Sequence, residues 1–275
     1  MKVAYCSDLH LNWGSLLLNN TEDAEILILA GDIMEADDFR TSPVYSEFFD
    51  HISKEFNLIF FVMGNHEYWG GNIRETLYKM RDYVPANVVI LDNEGYNVHR
   101  EDGTSVTFFG GTMWTNFSRG SPAAIMAAGR MKDLKYIDYS DPDSYFWSKD
   151  ESGQTVRMNQ WSKFNDYFWV KEHELFLQKA DERIHGETDV VVITHHSPSY
   201  MSISPEFKND IFGNDSYASD LSEFILDRPQ IKHWIHGHIH HKQMHYIGDC
   251  LVRANPRGYC GHEATNNFKL EYFDI

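Results

Sequence analysis

A chain of 275 residues with 42% hydrophobic and 15% aromatic side chains can bury a large α/β core, which excludes an intrinsically disordered protein. Its 24 basic and 41 acidic residues leave a net charge of −17, which argues against long duplex nucleic acid or an anionic membrane as a partner. The three cysteines, Cys6, Cys250 and Cys260, lack C-x-x-C spacing and are odd in number, so they read as thiols in a reducing, cytoplasmic setting rather than as a disulfide framework. No apolar run reaches membrane-spanning length, and the N-terminal residues carry no stretch of the kind a signal sequence needs.

In chain order, Val3 to Cys6 is a short apolar run that ends at Ser7-Asp8. Glu25 to Ala30 ends in the same way at Gly31-Asp32, and Leu58 to Met63 at Gly64-Asn65. Continuous apolar runs of this length predict strands buried on both faces. Between them, Ser42-Pro43 predicts a helix start followed by Val44, Phe48, Ile52 and Phe56 every four residues. Asn72, with Glu75 three residues on, predicts a capped helix through Ile73, Leu77 and Met80. Asn87 to Leu91 and Ser105 to Trp114 read as further strands. Asn165 to Ile184 reads as a long helix stopped by Gly186, with Trp169, Phe176, Leu177, Ala180 and Ile184 on its apolar side. Asp189 to Thr194 is a buried strand before His195, and Ile231 to Ile235 another before His236-Gly237-His238. Gln243 to Asp249, Cys250 to Ala254 and Phe268 to Ile275 predict antiparallel strands. The expectation is one domain over the whole chain, of layered α/β class, with its site at strand ends.

Residues 116–163 break this pattern. The stretch is rich in Tyr, Trp, Ser, Asp and Gly without a sustained period, and it carries Tyr136, Tyr139, Tyr145, Phe146, Trp147 and Trp161. It is expected to be an insertion over the site, either a lid or a segment whose aromatics pack onto the domain.

Five short groups follow the strands: Asp8-x-His10, Gly31-Asp32, Gly64-Asn65-His66-Glu67, His195-His196 and Gly237-His238-x-His240. Taken singly, each has an ordinary reading as a turn or a surface histidine. Together they place carboxylate, imidazole and amide donors at strand ends, a mixture that suits a pair of divalent transition metals. Asp8 and His10, like His238 and His240, are two residues apart, so on extended chain both side chains would point the same way. Asp32, from a central strand, is the candidate to bridge two ions. Asn65 offers a neutral oxygen, and His66 has the chemistry of a general acid.

This ordered set, D-x-H, G-D, G-N-H-[DE], H and G-H-x-H, resembles the signature of the calcineurin-like metallophosphoesterases from Asp8 to His240, with every position filled. The start Ser-Asp-Leu-His-Leu and the late Asn255-Pro256-Arg257-Gly258-Tyr259 look like the small bacterial and phage members. Ile33-Met34-Glu35 after Asp32 departs from the G-D-x-x-D-R-G of the Ser/Thr phosphatases. The resemblance implies a four-layer α-β-β-α sandwich of mixed sheets and two divalent ions, manganese, iron or zinc. Asp8, His10 and His240 would hold one ion and Asn65, His195 and His238 the other, with Asp32 bridging and His66 protonating the departing oxygen. The implied reaction is in-line attack of a metal-bridging hydroxide on a phosphodiester or phosphomonoester.

Further candidates are Arg257 as a phosphate contact, Tyr68 and Trp69 as stacking surfaces, and Glu67, His196 and His236 as groups orienting the ligands. Two other functions compete with the phosphoesterase reading. One is a nuclease acting on short or single-stranded nucleic acid. The other is a non-catalytic binding module of the same fold, which the complete ligand set disfavours.

Overall fold

A computed structural model describes residues 1–35, 39–149, 152–263, 265 and 267–275, the side chains of 140–148 and 156–162 excepted. The strands are β1 (Lys2–Cys6), β2 (Ile26–Ala30), β3 (Leu58–Val62), β4 (Val88–Ile90), β5 (Glu94–His99), β6 (Ser105–Gly111), β7 (Asp138–Lys149), β8 (Thr155–Lys163), β9 (Val190–Thr194), β10 (Ile231–His236), β11 (Gln243–Ile247), β12 (Cys250–Ala254) and β13 (Glu271–Asp274). One sheet runs β13-β1-β2-β3-β4 and a second β11-β12-β10-β9-β6-β5, while β7 and β8 pair as a separate hairpin. In the first sheet β1 to β4 are parallel and β13 closes the edge antiparallel to β1. In the second, β12, β10, β9 and β6 are parallel and the edge strands β11 and β5 antiparallel.

The two sheets pack face to face because alternate residues of the buried strands point in opposite directions. Val3, Tyr5, Ile28, Phe60 and Val62 from one sheet meet Val106, Phe108, Val191, Ile193 and Ile235 from the other. Phe60 stacks on Phe108 across this interface, with ring centroids 4.5 Å apart. The opposite residues, among them Ala4, Cys6, Leu27, Leu29, Ile59 and Phe61, face the helices Pro43–Glu55 and Ile73–Arg81. Likewise Phe109, Val190, Val192 and Trp234 face the helix Asp166–Ile184 through Phe176, Ala180 and Ile184. The result is the α-β-β-α sandwich that the resemblance implied, built on the doubly buried strands that the continuous apolar runs predicted.

Local chemistry accounts for several helix starts. Asn72 accepts hydrogen bonds from the backbone N–H of Arg74 and Glu75, and Asn165 from that of Phe168. Ser42 occupies the N-cap but makes no capping bond; Pro43 at the first helical position starts that helix instead. No apolar run in the sequence marks β5, whose EGYNVH is an edge strand with four of its six residues exposed. The sequence reading passed over the structure inside 116–163, which forms the short helices Phe117–Gly120, Pro122–Ala128 and Asp133–Tyr136 and then the β7–β8 hairpin. Of the aromatics there, Tyr139 is buried and stacks on Phe168 at 3.9 Å. Tyr136 is half exposed beside Trp69. The side chains of Tyr145, Phe146, Trp147 and Trp161 lie outside the described residues. Among the described residues no helix is long and apolar enough to cross a membrane.

Candidate metal centre

The parallel strands β1, β2 and β3 of one sheet and β9 and β10 of the other all end at one edge of the sandwich. Just beyond these ends the chain turns sharply. Asp8, His10, Asp32, His238 and His240 all have φ between 43° and 68°, the left-handed region that side chains with a Cβ avoid. The expectation that Asp8 and His10 share a face of extended chain is therefore corrected, and so is that for His238 and His240. Their side chains converge because a left-handed turn folds each pair inward. Strain of this kind collects where a fold must hold groups in a fixed array.

The neighbouring glycines clear the space. Gly31 has φ of 87°, and a Cβ there would enter the His195 ring; a Cβ on Gly64 would collide with the Asp32 carboxylate. This is the physical content of the Gly-Asp and Gly-Asn-His-Glu spacings.

The donor atoms meet in three overlapping groups: Asp8, His10 and His240; His10, Asp32 and His66; and Asp32, His195 and His238, within 4.8 Å in each group. Asp32 Oδ2 lies 3.3 Å from His195 Nε2 and 3.8 Å from His10 Nε2, so it reaches both halves. Asn65 Oδ1 is 3.0 Å from His195 Nε2.

Whether these residues fit cations is decided by their tautomers. His195 Nδ1 donates to the Ala30 carbonyl at 3.0 Å, and His240 Nδ1 to the Glu263 carboxylate at 2.9 Å. In the neutral rings the inward nitrogens then carry lone pairs. His240 Nε2 nevertheless sits 3.0 Å from His10 Nε2, and His195 Nε2 3.1 Å from His238 Nδ1. Each contact thus sets a lone-pair nitrogen against a second imidazole nitrogen, and His10 Nδ1 and His238 Nε2 are buried without a hydrogen-bond partner among the described residues, a crowding of donors that a positive charge among them relieves. The protonation equilibria show the same demand. Burial opposes charge on His195 and His240, but Asp32 beside the first and Asp8 and Glu263 beside the second raise them to about 9 and about 10. Burial also opposes ionisation of Asp32, yet the imidazoles of His195 and His66 hold its carboxyl well below the usual range. A proton satisfies the array only as a stand-in; oxygen and nitrogen donors in this mixture fit divalent cations.

His66 lies at the mouth of the centre. Its Nε2 is 3.1 Å from the Tyr259 hydroxyl, its Nδ1 is 3.5 Å from Glu35, and its ring stacks on Trp69 at 3.6 Å. Burial lowers its basicity, but Asp32 and Glu35 outweigh that and raise its pKa above the ordinary histidine value.

The remaining candidates divide. Trp69 lines the cleft over the centre, as expected. Tyr68 does not: it is buried in the core with its hydroxyl near Thr112, so it offers no stacking surface. Arg257 is likewise corrected from a phosphate contact to a brace. Its guanidinium donates to the carbonyls of Leu9 at 2.9 Å and Gly14 at 2.6 Å, pinning the loop after His10. Glu67 is fully buried and accepts from the backbone N–H groups of Asp32, Ile33, Met34 and Gly64, so it ties the second and third ligand loops together. His196 packs on His238 at 4.2 Å with Nδ1 3.3 Å from the Thr112 carbonyl. His236 bonds the Gly237 carbonyl and Ser202.

The sequence reading gave no role to Asp133, Tyr259 or Glu263. Tyr259 stacks on His10 at 4.3 Å, and Glu263 orients His240. Neither stands beside a ligand in sequence, so no local spacing announces them. The cleft itself holds about 470 Å³. One wall comes from Arg130, Met131, Lys132 and Asp133 of the insertion, the other from Ile203, Phe207, Asn214 and Tyr217.

A mixed two-sheet sandwich with such a donor cluster at its edge defines a metal-dependent phosphoester hydrolase. Residues 1–242 match the family model for calcineurin-like phosphoesterases, and the chain belongs to that family. It is 26% identical to an uncharacterized protein of Acanthamoeba polyphaga mimivirus over 305 aligned residues, covering 99% of this chain and 96% of that protein. Among solved structures, phosphopantetheinyl hydrolase from Mycobacterium tuberculosis is similar with a TM-score of 0.67 and 14% identity, over 99% of this chain and 95% of that one. GAP50, the anchor in the inner membrane complex of Plasmodium, is similar with a TM-score of 0.54 and 12% identity, over 99% and 80%. At these identities the structural likeness is one of fold.

Proposed function

We propose that the chain hydrolyses a phosphate ester, diester or monoester, of a small or medium-sized organic group at a pair of divalent cations. The observation that carries this reading is the convergence of carboxylate, amide and imidazole side chains from five strand ends on one buried locus. Asp8, His10 and His240 would hold one ion and Asn65, His195 and His238 the other, of manganese, iron or zinc. Asp32 would bridge, because its carboxylate reaches histidines of both halves. When bound, such ions lower the pKa of water toward neutrality and take up charge on phosphoryl oxygens.

The chain's own residues do the rest. His66, kept basic by Asp32 and Glu35, carries a proton at Nε2 for the departing oxygen, which splits off as an alcohol. Trp69 fixes the plane of that ring and Tyr259 its Nε2. Ile203, Phe207, Met131 and Tyr217 give the organic group apolar surface, while Arg130 and Lys132 stand at the rim as cations. A cleft of this size takes a small ligand. A long duplex is not the substrate we propose.

The test is metal-stripped protein reloaded singly with Mn, Fe, Zn, Ni or Mg and assayed on aryl monoester, aryl diester and a short single-stranded oligonucleotide. Two ions per chain and aryl ester turnover only after reloading are expected. Faster cleavage of the oligonucleotide would favour a nuclease, and tight binding of metal without turnover a binding module.

A further inference from the structure

Asp133 opens the short helix Asp133–Tyr136 in the insertion and is 1% exposed. Its Oδ1 accepts from Asn65 Nδ2 at 2.8 Å and from Trp69 Nε1 at 2.8 Å. Its Oδ2, also buried, has no hydrogen-bond partner among the described residues. A carboxylate this buried and this thinly solvated is costly, and folds keep such groups where they are used.

We propose that Asp133 is a positioning residue that decides which end of the Asn65 amide faces the metal centre, which makes the insertion a working part of that centre. The inference rests on the two-cation reading above. The two ends of an amide have nearly the same shape, so packing alone does not choose between them. An ionised carboxylate only accepts, so the Asn65 NH₂ must turn toward Asp133. The Asn65 oxygen is thereby left 3.0 Å from His195 Nε2, where a ligand oxygen is needed. The same Asp133 oxygen holds the Trp69 indole, whose face stacks on His66, so one acceptor from the insertion sets both a ligand and the support of the proton donor.

The experiment is titration of Mn²⁺ into metal-free protein by calorimetry, with thermal melting of each metal-free variant as the measure of folding. Asp133→Leu keeps the size and removes the acceptor; it should weaken one of the two ions by about 10- to 100-fold and leave the other unchanged. Asp133→Asn keeps an oxygen that can accept from both donors and should stay within about threefold of the parent. Asn65→Asp sets carboxylate against carboxylate and should lose affinity, whereas adding Asp133→Asn turns an NH₂ toward the new acceptor, giving up the Trp69 bond to that position, and should recover part of it. Parental affinity in Asp133→Leu, an equal loss in Asp133→Asn, or no recovery in the double variant would each overturn the proposal. Should Asp133→Leu melt early, the Asn65→Asp pair decides the matter by itself. A parent that binds fewer than two ions would sink the metal-centre reading instead, so the two failures are distinguishable.

Discussion

The strand-end centre and the walls of the cleft above it are built on opposite principles. In the centre every donor hangs from the end of a buried parallel strand, and its loop is tied by interior groups such as Glu67 and Arg257. The walls are short helices and irregular chain, with Phe207 largely exposed. The centre thus has one arrangement, fixed by two sheets and tied on the insertion side to Asp133, while the opposite wall around Phe207 can vary without disturbing it. On the proposed function, reaction class would rest on the first region and choice of organic group on the second.

Four changes should break or sharpen this contrast. The largest effect is expected for Asp32→Asn, which removes the charge shared by both halves of the centre. Metal content and kcat/KM should fall together, the latter by about 1,000-fold. Retention of two ions by this variant would dissociate Asp32 from the bridge. Next is His66→Ala, which should keep both ions and lose roughly 100-fold in kcat, most for alkyl leaving groups that need a proton and least for aryl ones. An equal loss on both would take the proton donor's role away from His66.

Third, the scaffold behind the insertion should be acid-sensitive through His173. It is buried with Nδ1 near the Trp114 carbonyl, and burial lowers its pKa to about 4. The unfolded chain binds a proton at an ordinary histidine pKa and the native one does not. Stability is therefore complete above that value and falls as pH drops toward 4, by up to about 3 kcal/mol. Chemical denaturation across this range should show a shallower fall in His173→Gln. The smallest effect is Phe207→Ala in the outer wall. It should raise KM about fivefold for esters with an apolar group, the worth of roughly 1 kcal/mol of lost contact, and leave kcat and metal binding alone. A change in metal affinity there would show that this wall too is coupled to the centre.

The strands were legible because a segment buried on both faces must be apolar throughout, as β2 and β9 are. The ligand set was legible because D-x-H, G-N-H-E and G-H-x-H place unusual residues directly after such runs. The edge strand β5 and the insertion were not, since half-exposed segments are free to take polar residues. Tyr68 and Arg257 misled for a related reason. Residue type and nearness to a motif say nothing about which way a side chain turns, and both turn inward, to Thr112 and to the loop carbonyls.

By itself the sequence determined the layered α/β class, the strand ends and the candidate donor residues, because hydrophobic period and residue chemistry are local properties. Only the tertiary structure decided that His10 meets His240, that Asn65 bonds to Asp133, and that the pairs converge through left-handed turns. Those contacts join residues 230 and 68 positions apart. They exist because two sheets pack with their carboxyl ends at one edge, which no single stretch of chain encodes.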